Sequence, residues 1–238
     1  MKYTFTLTFI AGFFGIAGFG LSGPLEKLSS EVTSRYWEAG QSYETTSHIY
    51  YKLDGTLVVH TEEPEEMIVK TNQHGEMYVY YPDDNEAEYR QNPQLSSEST
   101  QFYIFLQGMT EDLGLQTVGY ELTETEFDDG HQITYWDPPA QMSGEFGTTK
   151  LVHRDYLPVY LSVRNPEGEV TQRTYFHDYT ELADRDFPGS ITTIEYESPQ
   201  DSTVMQTMFS DIKYNENADH DLFDFSVPDD ATMRSTEP

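Results

Sequence analysis

The sequence predicts a mainly β protein, built as one antiparallel domain of about ten to eleven strands with two helices. Three observations carry this. Apolar and polar residues alternate with period two over most of the chain. The runs are short and separated by close turns, which join only neighbouring antiparallel strands. The hydrophobic material is aromatic-rich, with 14 Phe, 18 Tyr and 2 Trp, and aromatic residues suit a pleated surface. Antiparallel strands in this number must curl toward a barrel or a sandwich.

The elements follow in order. Leu25, Leu28, Val32 and Tyr36 fall at helical spacing after Pro24, and Gly40 offers a C-cap, so an N-terminal helix is predicted there. Runs 47–53 and 56–61 flank Asp54-Gly55, a hairpin turn. Runs 66–71 and 76–81 flank residues 72–75, and 82–85 turns into 86–90. After a polar stretch over 93–100, Phe102, Phe105, Leu106 and Met109 recur at helical spacing, which predicts a second helix capped by Ser97 or Ser99. Strands are predicted again at 116–126 and 131–136 around Asp128-Asp129-Gly130, then at 150–154, 159–164, 170–179, 191–198 and 204–214.

The N-terminus reads differently. Lys2 precedes an apolar stretch from Phe5 to Phe19 and then the small residues Gly20, Ser22 and Gly23. That order is the layout of a secretory signal peptide over residues 1–22, with cleavage after Gly20 or Ser22. An uncleaved anchor is the alternative, but the stretch is shorter than the ~20 residues that span a bilayer. Residues 23–238 are then one exported domain.

Charge narrows the function. With 42 acidic and 13 basic residues the net charge is −29. Nucleic acid and anionic membrane surfaces are repelled by such a protein. Lysine is sparse while Asp and Glu are abundant and dispersed, the composition of a protein that stays soluble in high salt. There is no cysteine, so disulfides, thiolate nucleophiles, cysteine-held metals and an N-terminal lipidated cysteine are excluded.

No motif for enzymatic chemistry stands out. The sequence has no Gly-x-Ser-x-Gly, no phosphate loop, no dinucleotide glycine fingerprint and no His-Glu-x-x-His. His48, His60, His74, His131, His153, His177 and His220 do not pair at metal-binding spacing. His153 and His177 are read as exposed strand residues, and Asp219-His220-Asp221 as a solvated loop. The expectation is a binding protein without enzymatic activity, cofactor or metal.

Several stretches together resemble the outer-membrane lipoprotein carrier family, the LolA-like proteins, and the related lipoprotein-sorting proteins. Residues 55–59, Pro64, 67–69 and 77–82, ending in Tyr80-Tyr81-Pro82, are similar to the early strands and proline-marked turn of that family. Residues 155–159, 166–168, Asp178-Tyr179 and Phe187-Pro188 are similar to its later strands, and residues 221–228 to its closing strand. The resemblance implies an open, incomplete antiparallel β-barrel with an N-terminal helix and a lid helix over an apolar cavity for acyl chains. Met67, Val69, Met77, Val79 and Tyr81 on strands, with Phe102, Phe105, Leu106 and Met109 on the lid, are the candidate lipid-binding residues; the same residues would also serve as an ordinary core.

It further implies a periplasmic monomer that carries acyl chains of lipids or lipoproteins between an inner-membrane donor complex and an outer-membrane acceptor. The family places a lid-latching arginine before the early proline, whereas this chain reads Glu62-Glu63-Pro64. That departure opens a second reading, a lipid-sensing regulator of the same fold. A secreted hydrolase with an unrecognised acidic pair is the third. Burying one CH₂ is worth about 0.8 kcal/mol, so a fully enclosed 14-carbon chain would gain about 11 kcal/mol.

Overall fold

The computed structural model describes residues 25–183, 185–198 and 201–234. The expected signal segment lies outside them. The described residues begin with β1 (Lys27–Glu38) and β2 (Gln41–Lys52), followed by β3 (Leu57–Thr61), β4 (Met67–Thr71), β5 (Glu76–Tyr81) and β6 (Glu86–Gln91). Helix α1 (Gln101–Leu106) comes next. Then follow β7 (Glu121–Asp128), β8 (His131–Asp137), β9 (Thr149–Arg154), β10 (Leu157–Arg164) and β11 (Val170–His177). A small hairpin, β12 (Thr180–Leu182) and β13 (Arg185–Phe187), precedes β14 (Ser190–Ser198), β15 (Asp201–Tyr214) and β16 (Thr232–Met233).

Among the described residues, fourteen strands form one sheet in the order β16-β6-β5-β4-β3-β2-β1-β15-β14-β11-β10-β9-β8-β7, while β12 and β13 pair with each other. The order does not return on itself, so the sheet is an open one. Every pairing is antiparallel except that of β16 with β6. The pivot is β1, which joins the N-terminal meander to β15 from the other end of the chain.

The predicted N-terminal helix is a strand. Residues four apart share a face in a helix, but they also share a face in a strand, because four is a multiple of two. Leu28 and Val32 therefore fit both periods. The intervening Ser29, Ser30, Thr33 and Ser34 favour the extended form. Ala39 and Gly40, both at positive φ (49° and 76°), make the two-residue turn of a β1–β2 hairpin paired from Glu38–Gln41 to Lys27–Lys52. Gly40 is thus a hairpin residue and not a helix cap.

Other boundaries also differ from the expectation. The 116–126 strand begins only at Glu121, because residues 110–119 are turns. Residues 221–228 do not form a closing strand. Asp221–Asp224 is a 3-10 turn that His220 caps by accepting from the Leu222 N–H. The chain around it covers the outer face of the sheet, where Ala218 and Phe223 are buried with Tyr50, Val58 and Ile68.

The β4–β5 turn is closed by Gly75. Its φ is +69°, and a Cβ there would lie 2.0 Å from the Asn92 carbonyl oxygen. Backbone cannot yield as a flexible side chain can. A left-handed residue with a Cβ already costs roughly 1–2 kcal/mol. Gly75→Ala is therefore expected to lose more than that, read as a lowered midpoint in chemical denaturation with an unchanged slope.

Candidate functional site

The register of β2 to β5 builds the site. Ile49, Val59, Val69 and Val79 lie directly across from one another in one row, and Tyr51, Leu57, Thr71 and Met77 in the next. Period-two alternation sends both rows to the same face of the sheet. From the other half of the sheet Phe209 on β15, Ile191 on β14 and Phe176 on β11 join them in one buried apolar cluster.

Helix α1 lies on this face. Thr100 caps it by accepting from the Tyr103 N–H at 3.1 Å, where Ser97 or Ser99 was expected. Ser97 instead donates to the Gly55 carbonyl at 2.6 Å. Phe102, Phe105 and Leu106 point into the cluster, and Phe105 and Leu106 are 0% exposed. Phe102 meets Tyr51 at 5.3 Å and Phe187 at 5.8 Å between ring centroids. Phe105 meets Phe176 at 5.4 Å and Phe187 at 5.5 Å. The β12–β13 hairpin brings Phe187 and Leu182 over the same face as a second cover.

Eight of the nine candidate residues thus come together. Val69, Met77, Val79, Phe102, Phe105 and Leu106 are buried in the cluster, and Met67 and Tyr81 pack at its edge. Tyr81 carries the Arg234 guanidinium over its ring at 4.4 Å. Met109 does not join. The helix stops at Leu106, Gly108 takes φ +69°, and Met109 lies past that turn. Phe176, Phe187 and Phe209 are site residues that the sequence reading does not single out. Their strands are partly legible, but only the long-range pairing turns them toward α1.

The segment bearing α1 is pinned on both sides. Before it, Ser96 donates to the Gln73 carbonyl at 2.8 Å, and the Thr71 hydroxyl donates to the Leu95 carbonyl at 2.6 Å. After it, His153 donates from Nε2 to the Thr110 carbonyl at 2.8 Å. His153 is buried, contrary to the exposed reading, and it does not meet His177, whose strand is not adjacent to its own. An arginine also reaches the helix. Arg185 on β13 donates to the Leu106 carbonyl, at the end of the helix where the peptide dipoles favour a cation.

Beside the Thr71 hydroxyl, two tyrosine hydroxyls lie in this apolar setting. Burial pushes the Tyr51 hydroxyl up to about 12, partly offset by the Gln107 amide beside it, which does not reach good hydrogen-bonding geometry. Burial raises Tyr179 as well, with the Asp186 carboxylate adding to the shift, and its hydroxyl donates to the Pro158 carbonyl at 2.6 Å. A folded-state value above the unfolded one means the stability is complete below the ordinary value near 10 and is lost as pH rises toward 12. Tyr51→Phe is expected to remove part of this alkaline loss at little cost near neutrality, since the hydroxyl has no partner there. Denaturation midpoints from pH 8 to about 12 test this; a wild-type and variant pair that fall in parallel would refute it.

Among the described residues no group of three or more His, Asp or Glu is arranged to hold a metal, and no helix is long and apolar enough to cross a membrane. The arrangement is a closed apolar cluster beneath a short pinned helix.

No protein-family model and no curated protein matches the sequence. Solved structures do match in fold. A DUF1329 family protein from Desulfovibrio piger is 13% identical with a TM-score of 0.57, covering 84% of this chain and 90% of that one. An outer membrane lipoprotein-sorting protein domain from Vibrio parahaemolyticus is 10% identical with a TM-score of 0.57, over 83% and 89%. A LolA superfamily protein from Nitrosomonas europaea is 11% identical with a TM-score of 0.54, over 82% and 88%. The chain shares the fold of these proteins.

Proposed function

We propose that this protein is an exported carrier that shelters acyl chains of lipids or lipoproteins on the inner face of its sheet, beneath α1, on their way toward the outer membrane. The observation that carries this reading is the apolar face itself. One continuous cluster runs from β5 across β1 to β11, and its cover is a six-residue helix pinned at both flanks together with the two-stranded β12–β13 hairpin.

Magnitudes favour exchange between the helix and a lipid chain. Moving Phe102, Phe105 and Leu106 off the face costs about 1.5–3 kcal/mol each, or roughly 5–9 kcal/mol together. Burying a 14-carbon chain gains about 11 kcal/mol. The difference is a few kcal/mol, which suits a protein that must release what it binds. Arg185 would hold the closed form, in place of the arginine absent at Glu62-Glu63-Pro64.

Native mass spectrometry of the protein from its own host, with a fluorescent fatty acid titrated into the delipidated form, tests the proposal. Co-purified lipid and a saturable, one-chain stoichiometry are expected. Absence of bound lipid together with no saturable fatty-acid binding would overturn it.

A further inference from the structure

Strand β2 is longer than the neighbour on one of its sides. On the β1 side it is paired along its whole length, from Lys27–Lys52 to Glu38–Gln41. On the β3 side pairing ends at Ser47–Thr61, after which the chain turns away through Glu62, Glu63 and Pro64. The parity of the ladder says which backbone groups are left. The Lys52 N–H donates to the Thr56 carbonyl on the β3 side. Antiparallel bonding alternates, so Ser42, Glu44 and Thr46 also aim their N–H and C=O groups away from β1. Nothing in β3 meets them, and all three residues are exposed.

This free edge is backed by a firm platform, because β1 stays paired with β15 as far as Trp37–Val204. It also forms one wall of a groove of about 400 Å³, whose opposite wall is Glu62, Glu63 and Pro64. Side chains from both faces of β2 line it, Tyr43 and Thr45 from one and Glu44 and Thr46 from the other, so the groove follows the edge itself. Glu44 is paired with Arg35, whereas Glu62 and Glu63 make no ion pair among the described residues.

We infer that this edge is a docking site where a partner protein adds an extended basic segment as a further strand, with Lys or Arg at alternate positions. Strand addition supplies affinity through main-chain hydrogen bonds, and alternate side chains supply selectivity. Charge decides the occupant. A second copy would bring its own Glu44, Glu62 and Glu63 to the same groove, and its own net charge of −29. Like charges set opposite each other across strands are destabilising, while a basic residue opposite Glu44 is favourable. Docking here does not depend on lipid binding, since the groove uses the edge of β2 and not the face beneath α1.

The probe is a blocked eight-residue peptide of alternating Lys and Thr, titrated by fluorescence anisotropy and by amide exchange of the full chain. Binding is expected to slow exchange at Ser42, Glu44 and Thr46. Thr46→Pro removes an outward N–H without touching the β1 ladder and is expected to weaken binding about tenfold, as loss of one to two hydrogen bonds would. Glu62→Gln with Glu63→Gln is expected to weaken binding and flatten its salt dependence. On the wild-type chain, the same peptide N-methylated at alternate residues is expected to lose binding even if the proline variant does not fold. Equal affinity for the N-methylated peptide, or unchanged exchange at those amides, would overturn the inference. So would a dimer in sedimentation that protects those amides without peptide, since the occupant would then be a second copy.

Discussion

Phe105→Ala is expected to lower stability and raise affinity for an apolar ligand at the same time. Phe105 is 0% exposed and ringed by Phe176, Tyr179 and Phe187. Truncating a buried Phe costs about 3–5 kcal/mol when its surroundings stay in place. The loss should fall within that range, because the roughly 5–9 kcal/mol of apolar burial that docks α1 is not smaller than the penalty and the helix stays on the face. Whatever weakens the docked form favours ligand that competes with it, by about tenfold for each 1.4 kcal/mol. Val58→Ala is the control. Val58 is also 0% exposed but lies in the outer cluster, so it should lose stability with unchanged binding. Denaturation curves and displacement of a fluorescent fatty acid read both effects. A core-sized loss in Phe105→Ala with unchanged ligand affinity would mean that α1 is ordinary core.

Melting temperature is expected to climb steeply from low to molar sodium chloride. Two effects of salt oppose each other. Screening weakens surface ion pairs such as Lys52–Asp224 and the contacts of Arg234 with Asp84 and Glu86, but exposed pairs are worth only about 0.2–1 kcal/mol each. Screening also relieves the self-repulsion of a chain with a net charge of −29. The screening length falls from about 10 Å at 0.1 M to about 3 Å at 1 M, so relief of repulsion spread over the whole surface outweighs the weakened pairs. Each kcal/mol relieved should raise the midpoint by about 2–4 °C. A flat or falling curve would refute the claim.

What the sequence discloses follows the range of the interactions involved. The hairpins are legible because their signals are local: Asp54-Gly55 between alternating runs, and Asp129-Gly130 with both residues at positive φ. The inner face of β4 and β5 is legible for the same reason, since alternation alone places Met67 and Val69 on one side of β4 and Met77, Val79 and Tyr81 on one side of β5. β1 misleads because Leu28, Val32 and Tyr36 satisfy the helical and the strand period equally. Its true partner, β15, lies about 180 residues away, as in the Ser30–Ser210 bond. Phe176, Phe187 and Phe209, the covering hairpin, and Arg185 against the Leu106 carbonyl depend on that same distant pairing. Met109 fits the helical stripe, but Gly108 ends the turn before the stripe can continue. The unpaired length of β2 is invisible in sequence because it is a difference between two strand lengths, and both ends of β2 must be known.

The place where an acyl chain binds is the most direct test of a carrier with its site beneath α1. The measurement is photo-crosslinking with a fatty acid that carries a diazirine in its chain, followed by mapping of the adducts by peptide mass spectrometry. Adducts are expected on β4, β5 and α1, concentrated on Met67, Met77, Phe102 and Phe105, and competed away by unlabelled fatty acid. Adducts confined to the outer cluster around Tyr50 and Phe223, or none that unlabelled fatty acid displaces, would contradict it.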